Sequence, residues 1–158
     1  MSQRRLLLTG FEPWAEHSTN PSGKFVETAP TFPGWAVSYL VLPVDDSCFD
    51  LYRQTVSAAD PHVVISLGLA AERAEITIER CATRSDKMPS GPNQLFSRLI
   101  VNEVTLSDDA GAFYCNDIFY SGLLLAEERD LSVAFVHVPP NVNFDDLNSL
   151  IDRLLSAA

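Results

Sequence analysis

The apolar positions fall into short runs separated by turn-forming residues. Arg5–Thr9 is apolar and closed by Gly10. Ala36–Leu42 is apolar, rich in β-formers and closed by Pro43. His62–Leu67 is continuously apolar up to Gly68, the pattern of a strand buried on both faces. Helical patterns lie between these runs. Asn20-Pro21-Ser22 offers a capping residue and then proline at the first helical position, which predicts a helix to about Thr28, ahead of Pro30. Asp45 and Asp46 are placed to cap a helix through about Ala58, with Phe49, Tyr52 and Val56 on one face and Asp60-Pro61 as its end. In the second half, Glu75–Cys81 alternates as a strand, Thr83–Asn93 reads as a loop and Val101–Leu106 as a strand. Ala112–Leu125 follows as a helix, Leu131–Val138 as a buried strand and Asn143–Ala158 as an amphipathic closing helix. This alternation predicts an α/β fold: an open, twisted, mostly parallel sheet with helices on both faces, three layers in the order α/β/α, as a single domain over residues 1–158.

Ligands of such sheets sit outside the carboxyl ends of the strands. Four features fall there by sequence: the Gly10–Trp14 turn, the Gly68–Ala70 turn, the segment after Ile78, and His137. They are expected to converge in space.

Composition narrows the partners. The formal net charge is −10, which argues against nucleic acid and anionic membrane surfaces, both of which need clustered Lys and Arg. No apolar run approaches the length of a membrane span. Leu6, Leu7 and Leu8 after two arginines are too short a run for a signal peptide and read as the first strand. Three widely spaced cysteines, Cys48, Cys81 and Cys115, with scattered His17, His62 and His137, argue against a disulfide framework and against a structural zinc site. A reducing, cytoplasmic setting is expected.

Cys115 follows Asp108, Asp109 and a small Ala110-Gly111 pair, and a helix begins beside it. A thiol in the first helical turn faces the positive end of the dipole, which favours the thiolate. Taken alone, this residue reads more readily as a small buried hydrophobe. Cys48 and Cys81 lack that setting and read as structural. His137 lies between two valines at the end of an apolar strand, as a core histidine or as a base for a cysteine brought near by the fold. Glu79 alternates with Ile76 and Ile78, so it faces away from them. It can orient an imidazole or pair with a base such as its neighbour Arg80. Phe11 and Trp14 flank Glu12-Pro13 and suit either a wall for a flat neutral ring or plain packing.

Four motifs in order carry a resemblance. Thr9–Trp14 (TGFEPW) with Asn20-Pro21-Ser22, Gly68–Ala82 (GLAAERAEITIERCA), Asp109–Asn116 (DAGAFYCN) and Phe135–Pro139 (FVHVP) resemble the motifs of the pyrrolidone-carboxylate (pyroglutamyl) peptidases, with Leu42–Val44 between the first two. The resemblance implies a phosphorylase/hydrolase-like α/β/α fold and a cysteine hydrolase that removes an N-terminal pyroglutamyl group through an acyl-enzyme. By position it implies Cys115 as nucleophile, His137 as base and Glu79 as the third member. It implies Phe11, Trp14 and Phe113 against the pyrrolidone ring, with backbone near Leu69 binding the lactam. It implies a peptide or small amide substrate, no cofactor, and a homo-oligomer.

The chain departs from the family's pattern at several points. Ala15 and Glu16 stand where the family has two glycines, Trp14 where it has a second phenylalanine, and Arg84 where it has an asparagine. Asp86-Lys87-Met88-Pro89 matches loosely, one residue shorter, a segment whose arginine reaches the family's active site. Lys87 and Met88 are therefore the candidate replacements there. The stretch between Leu95–Leu99 and the cysteine motif lacks a helix, and the tail after His137 is short. The alternative reading is a relative that is non-catalytic or has shifted to a different pyrrolidone-like or N-acyl ligand.

Overall fold

The computed structural model describes residues 3–88 and 90–158. Its elements in chain order are β1 (Arg4–Phe11), α1 (Pro21–Glu27), β2 (Trp35–Leu42), α2 (Cys48–Ala59), β3 (Val63–Leu69) and β4 (Thr77–Glu79). Then follow β5 (Cys81–Thr83), β6 (Gln94–Phe96), β7 (Thr105–Ser107), α3 (Tyr114–Glu128), β8 (Ser132–Val138) and α4 (Phe144–Ala157). The main sheet has the order β2-β1-β3-β8-β4-β7, and β5 and β6 form a separate two-stranded sheet. The pairs β1·β2, β1·β3 and β3·β8 are parallel.

Side chains alternate across this sheet as the period of two requires. Leu7, Val64, Val133 and Phe135 pack with Tyr52 of α2 and with Ile118 and Phe119 of α3 on one face. Leu6, Leu8, Ile65 and Val136 pack with Phe25 of α1 and with Leu147 and Ile151 of α4 on the other. The result is the three-layer α/β/α arrangement. Each fully buried Leu, Ile or Phe contributes about 2 kcal/mol over an exposed one, so the two apolar faces hold the layers together.

The turn after β1 is fixed by a local network. Asn20 caps α1 by accepting from the Ser22 amide at 3.1 Å, and Ser22 Oγ accepts from the Phe11 amide at 3.0 Å. A Cβ at Gly10 would lie 2.4 Å from the Ser22 carbonyl oxygen, so only glycine lets helix and strand approach this closely. That approach aims Phe11 at the carboxyl end of the sheet.

Four expectations are corrected. Glu75–Cys81 is not one strand: β4 ends at Glu79, and Cys81 pairs with Phe96 in the second sheet. The chain is diverted at Arg80, whose amide donates to Ser107 O and whose carbonyl accepts from Ser97 N. The expected strand at Val101–Leu106 is shorter and later, Thr105–Ser107, since Val101–Val104 forms a turn. Asp45 and Asp46 do not cap the first turn of α2. Asp45 Oδ1 accepts from the Ser47 amide just before the helix, and Asp46 bonds Lys87 and Tyr114. Finally, β4 runs antiparallel to β8, with Thr77 opposite His137 and Glu79 opposite Phe135. The segment after Ile78 therefore leads away from the carboxyl ends, and the segment before Thr77 occupies them. The predicted resemblance at residues 86–89 ends on Pro89, which lies outside the described residues.

Candidate active site

A cleft with two lobes opens where β1, β3 and β8 end. The first lobe, about 310 Å³, is apolar and lined by Phe11, Trp14, Val44, Leu69, Phe113 and Tyr114 together with Cys115. The second, about 250 Å³, shares Trp14, Leu69, Phe113 and Cys115 and adds His17, Glu72, Arg73 and His137. Cys115 thus stands where the lobes meet, and His137 lines only the second. The turns after β1 and β3 and the end of β8 converge here, as their positions in the sequence imply.

Cys115 is the second residue of α3, after an extended Phe113 at φ −121°. Its sulfur needs Gly68. A Cβ there would sit 2.5 Å from Cys115 Sγ and 2.9 Å from the Phe135 ring. The first-turn setting is realised, but its electrostatic balance differs from the expectation. Burial, with the charges of Glu79 and Asp117 nearby, pushes the Cys115 thiol up to about 12, against a backbone hydrogen bond that lowers it. At neutral pH the group is a thiol, and its use as a nucleophile requires a base.

His137 shares the second lobe with Cys115 and is held from behind. His137 Nδ1 and Glu79 Oε1 are 2.8 Å apart. Both lie on the face of the sheet that carries Phe135, on the diagonal of an antiparallel pair. With Nδ1 engaged, Nε2 is the ring nitrogen left to face the cleft. Glu79 is 0% exposed. Burial alone would raise its carboxyl, but hydrogen bonds, led by His137 and including Arg73, hold it below the ordinary carboxylate value. Arg73 Nη1 donates to Glu79 Oε1 at 2.6 Å and to Thr77 Oγ1 at 2.6 Å, and Nη2 donates to the Asp109 carbonyl at 2.8 Å. A thiol and an imidazole that line one lobe, the imidazole's Nδ1 on a buried carboxylate, are the groups that acyl transfer uses.

The structure brings together Cys115, His137, Glu79, Phe11, Trp14, Leu69 and Phe113. Lys87 and Met88 line neither lobe. Lys87 donates to Asp46 at 2.6 Å and covers the Tyr114 ring at 5.0 Å, behind the apolar lobe. Met88 is buried in the core, where its sulfur accepts from Ser121 Oγ at 3.6 Å. Cys48 and Cys81 are buried, and burial raises both thiols. His62 lies at the opposite end of the sheet, its Nδ1 accepting from the Arg5 amide at 2.9 Å. His17, read as a loop residue, packs tilted against Trp14 with ring centroids 4.6 Å apart and lines the second lobe.

Sequence reasoning missed Arg73, Tyr114 and Val44. It weighed Arg80 as the partner of Glu79, but adjacent strand residues point to opposite faces, and Arg80 pairs with Asp108 instead. The one signal for Arg73 was indirect: a carboxylate buried in a sheet requires a cation from somewhere.

Known proteins resemble this chain along most of its length. The sequence profile described as pyroglutamyl peptidase matches residues 4–94, a stretch that includes Glu79 and ends before Cys115. The pyrrolidone-carboxylate peptidase of Oceanobacillus iheyensis is 30% identical over 167 residues, covering 86% of this chain and 84% of that protein. That of Levilactobacillus brevis is 30% identical over 166 residues, covering 85% and 81%. Among solved structures, the pyrrolidone carboxyl peptidase of Thermococcus litoralis superposes with a TM-score of 0.86 at 22% identity, covering 97% of this chain and 92% of that one. That of Thermus thermophilus superposes with a TM-score of 0.85 at 26% identity, covering 97% and 100%.

Proposed function

The chain belongs to the pyroglutamyl peptidase family, and from that premise we propose that it is a cysteine-type peptidase that removes an N-terminal pyroglutamyl group through a Cys115–His137–Glu79 triad. The observation that carries this reading is the meeting of the two lobes at Cys115. An apolar lobe suits a flat, neutral pyrrolidone ring, held between Phe11, Trp14 and Phe113. The second lobe holds His137, so it is the side toward which the rest of the peptide departs.

In this mechanism His137 Nε2 takes the thiol proton as sulfur attacks the exocyclic carbonyl carbon. The amides of the first turn of α3, which have no partner within the helix, face the developing oxyanion. Glu79 holds the imidazole's orientation and stabilises the cation. The tetrahedral intermediate collapses with cleavage of the C–N bond, and His137 gives its proton to the departing amine. The product is a thioester on Cys115. Water, deprotonated by His137, then hydrolyses it to free pyroglutamate and the thiol.

The test is release of a fluorophore from a pyroglutamyl amide. It is expected from the unaltered chain and absent in Cys115→Ala. No release, together with a Cys115 inert to iodoacetamide near neutral pH, would sink the enzyme reading.

A second reading is a shifted substrate. Its support is the placement of Lys87 on Asp46, which leaves the apolar lobe without a cation among the described residues. An N-acyl or cyclic amide turned over faster than the pyroglutamyl one would establish it.

A further inference from the structure

We propose that Arg73 is a positioning residue of this site: it carries the counter-charge of Glu79, so that His137 stays neutral and available as a base, and it seats the loop that leads to Cys115. The proposal rests on the triad reading above.

Glu79 has no exposure to solvent. An ionised carboxylate in that position needs a cation in contact with it. Two groups reach its Oε1: His137 Nδ1 at 2.8 Å and Arg73 Nη1 at 2.6 Å. If the imidazole supplied the charge it would be protonated on both nitrogens, and a doubly protonated ring accepts no proton from a thiol. A guanidinium stays charged throughout the working range, so Arg73 neutralises Glu79 without drawing on His137.

The other groups facing the pair put no permanent charge of that sign on it, and His17 and Glu72, which line the lobe with His137, make no bond to Glu79. From β4 comes the Thr77 hydroxyl, from β7 the Ser107 hydroxyl, from α3 the Cys115 thiol and from β8 the Phe135 ring. Glu75 is turned outward onto Thr105, and Arg80 is spent on Asp108. Among the described residues Arg73 is the sole permanent cation on Glu79.

The second arm of the guanidinium reaches elsewhere. Nη2 donates to the Asp109 carbonyl at 2.8 Å, and Asp109 Oδ1 accepts from the Gly111 amide at 2.9 Å. Gly111, at φ +89°, turns the chain toward Phe113 and the first turn of α3. One side chain therefore ties the carboxylate that orients the base to the loop that delivers the nucleophile. A planar fork spans both partners, which a single ammonium does not.

The experiment follows two readouts against pH in the full chain: kcat/KM on a pyroglutamyl fluorogenic amide, and the rate at which iodoacetamide alkylates Cys115. Arg73→Met is expected to lose about tenfold to a hundredfold in kcat/KM near neutral pH. The acid limbs of both profiles are expected to move to higher pH by about one unit or more. Arg73→Lys keeps the limbs in place but loses about tenfold in rate, because it holds one partner and not both. Arg73→Gln moves the limbs while recovering part of the rate at high pH through its bond to Asp109. A loss equal at every pH with unmoved limbs in Arg73→Met or Arg73→Gln overturns the proposal. So does an unaltered rate in Arg73→Lys, the variant that decides if the neutral ones do not fold. If the unaltered chain releases no fluorophore, the peptidase reading fails, while the alkylation profiles still judge Arg73.

Discussion

The cluster of Glu79, His137 and Arg73 and the apolar lobe beside Cys115 share one cleft but are built differently. Glu79 and His137 of the cluster stand on strands, and Arg73 reaches them from the loop ahead of β4. Glu79 is 0% exposed, His137 5%, and one carboxylate oxygen joins both of its partners within 2.8 Å. The lobe is walled largely by two turns. Trp14 is 37% exposed and Phe113 80%. Trp14 precedes Ala15, held at φ +52°, and Phe113 follows the Gly111 turn. The contrast separates two demands. Groups that move protons must be held to a fraction of an ångström by packed elements, whereas a ring of neutral atoms needs only apolar walls that close over it. It also predicts where the chain tolerates change.

Three substitutions break or sharpen this contrast. The largest effect is expected in the cluster. Glu79→Gln leaves the Arg73 charge without its partner and is expected to cost about 3 kcal/mol of folding stability at neutral pH. For a chain of this size that is a fall of roughly 6–12 °C in Tm, at 2–4 °C per kcal/mol. The sign of the pH dependence follows from the depressed carboxyl. Its stabilisation is fully present above the unfolded-state value near ~4.3 and is lost as pH falls through the lower folded value. The Tm gap between Glu79→Gln and the unaltered chain is therefore expected to be widest above pH ~5 and to close on acidification. A gap that widens toward acid contradicts the assignment.

A smaller effect is expected in the lobe. Phe113→Ala removes a mostly exposed ring, so Tm is expected to hold within about 1 °C. KM for a pyroglutamyl amide should rise about tenfold with kcat little changed, the pattern of lost uniform binding. A fall in kcat with unchanged KM would mean that Phe113 serves the reacting atoms and not the ring. The smallest effect is at Ala15. Ala15→Gly relieves a left-handed alanine and is expected to stabilise by about 0.5–1 kcal/mol or to leave stability level, as relief of strain competes with added unfolded-chain entropy. A clear loss, read by denaturant titration, would show that the turn gains more from its Cβ than it loses in strain.

The same contrast explains what could be read along the chain. The central strands and the four helices were legible because each buries a continuous or periodic apolar face. His62–Leu67 and Leu131–Val138 announce the middle of the sheet on that ground alone. The placement of Cys115 and His137 in one cleft, with Glu79 bonded to His137, was legible through the residues around them. The short elements were not. β6 has three residues, too few to show a period, and the break at Arg80 is made by bonds to Ser107 and Ser97. The antiparallel course of β4 was hidden for the same reason, since three residues do not state a direction. Arg73 was invisible because its partners lie 6 and 36 positions away and on different elements. The placement of Lys87 and Met88 was misjudged because a loose sequence match carries no information about which way a loop folds. Among the described residues no helix is long and apolar enough to cross a membrane, in line with the apolar pattern of the sequence.

The central claim is that Cys115 forms a covalent bond to the acyl group. Rapid acid quenching during turnover of a pyroglutamyl amide, followed by digestion and mass spectrometry, tests it most directly. The account predicts a mass increase of one pyroglutamyl group on the peptide containing Cys115, absent in Cys115→Ala and lost in His137→Ala, which lacks the base that acylation needs. Turnover with an unmodified Cys115, or turnover that survives Cys115→Ala, would contradict it.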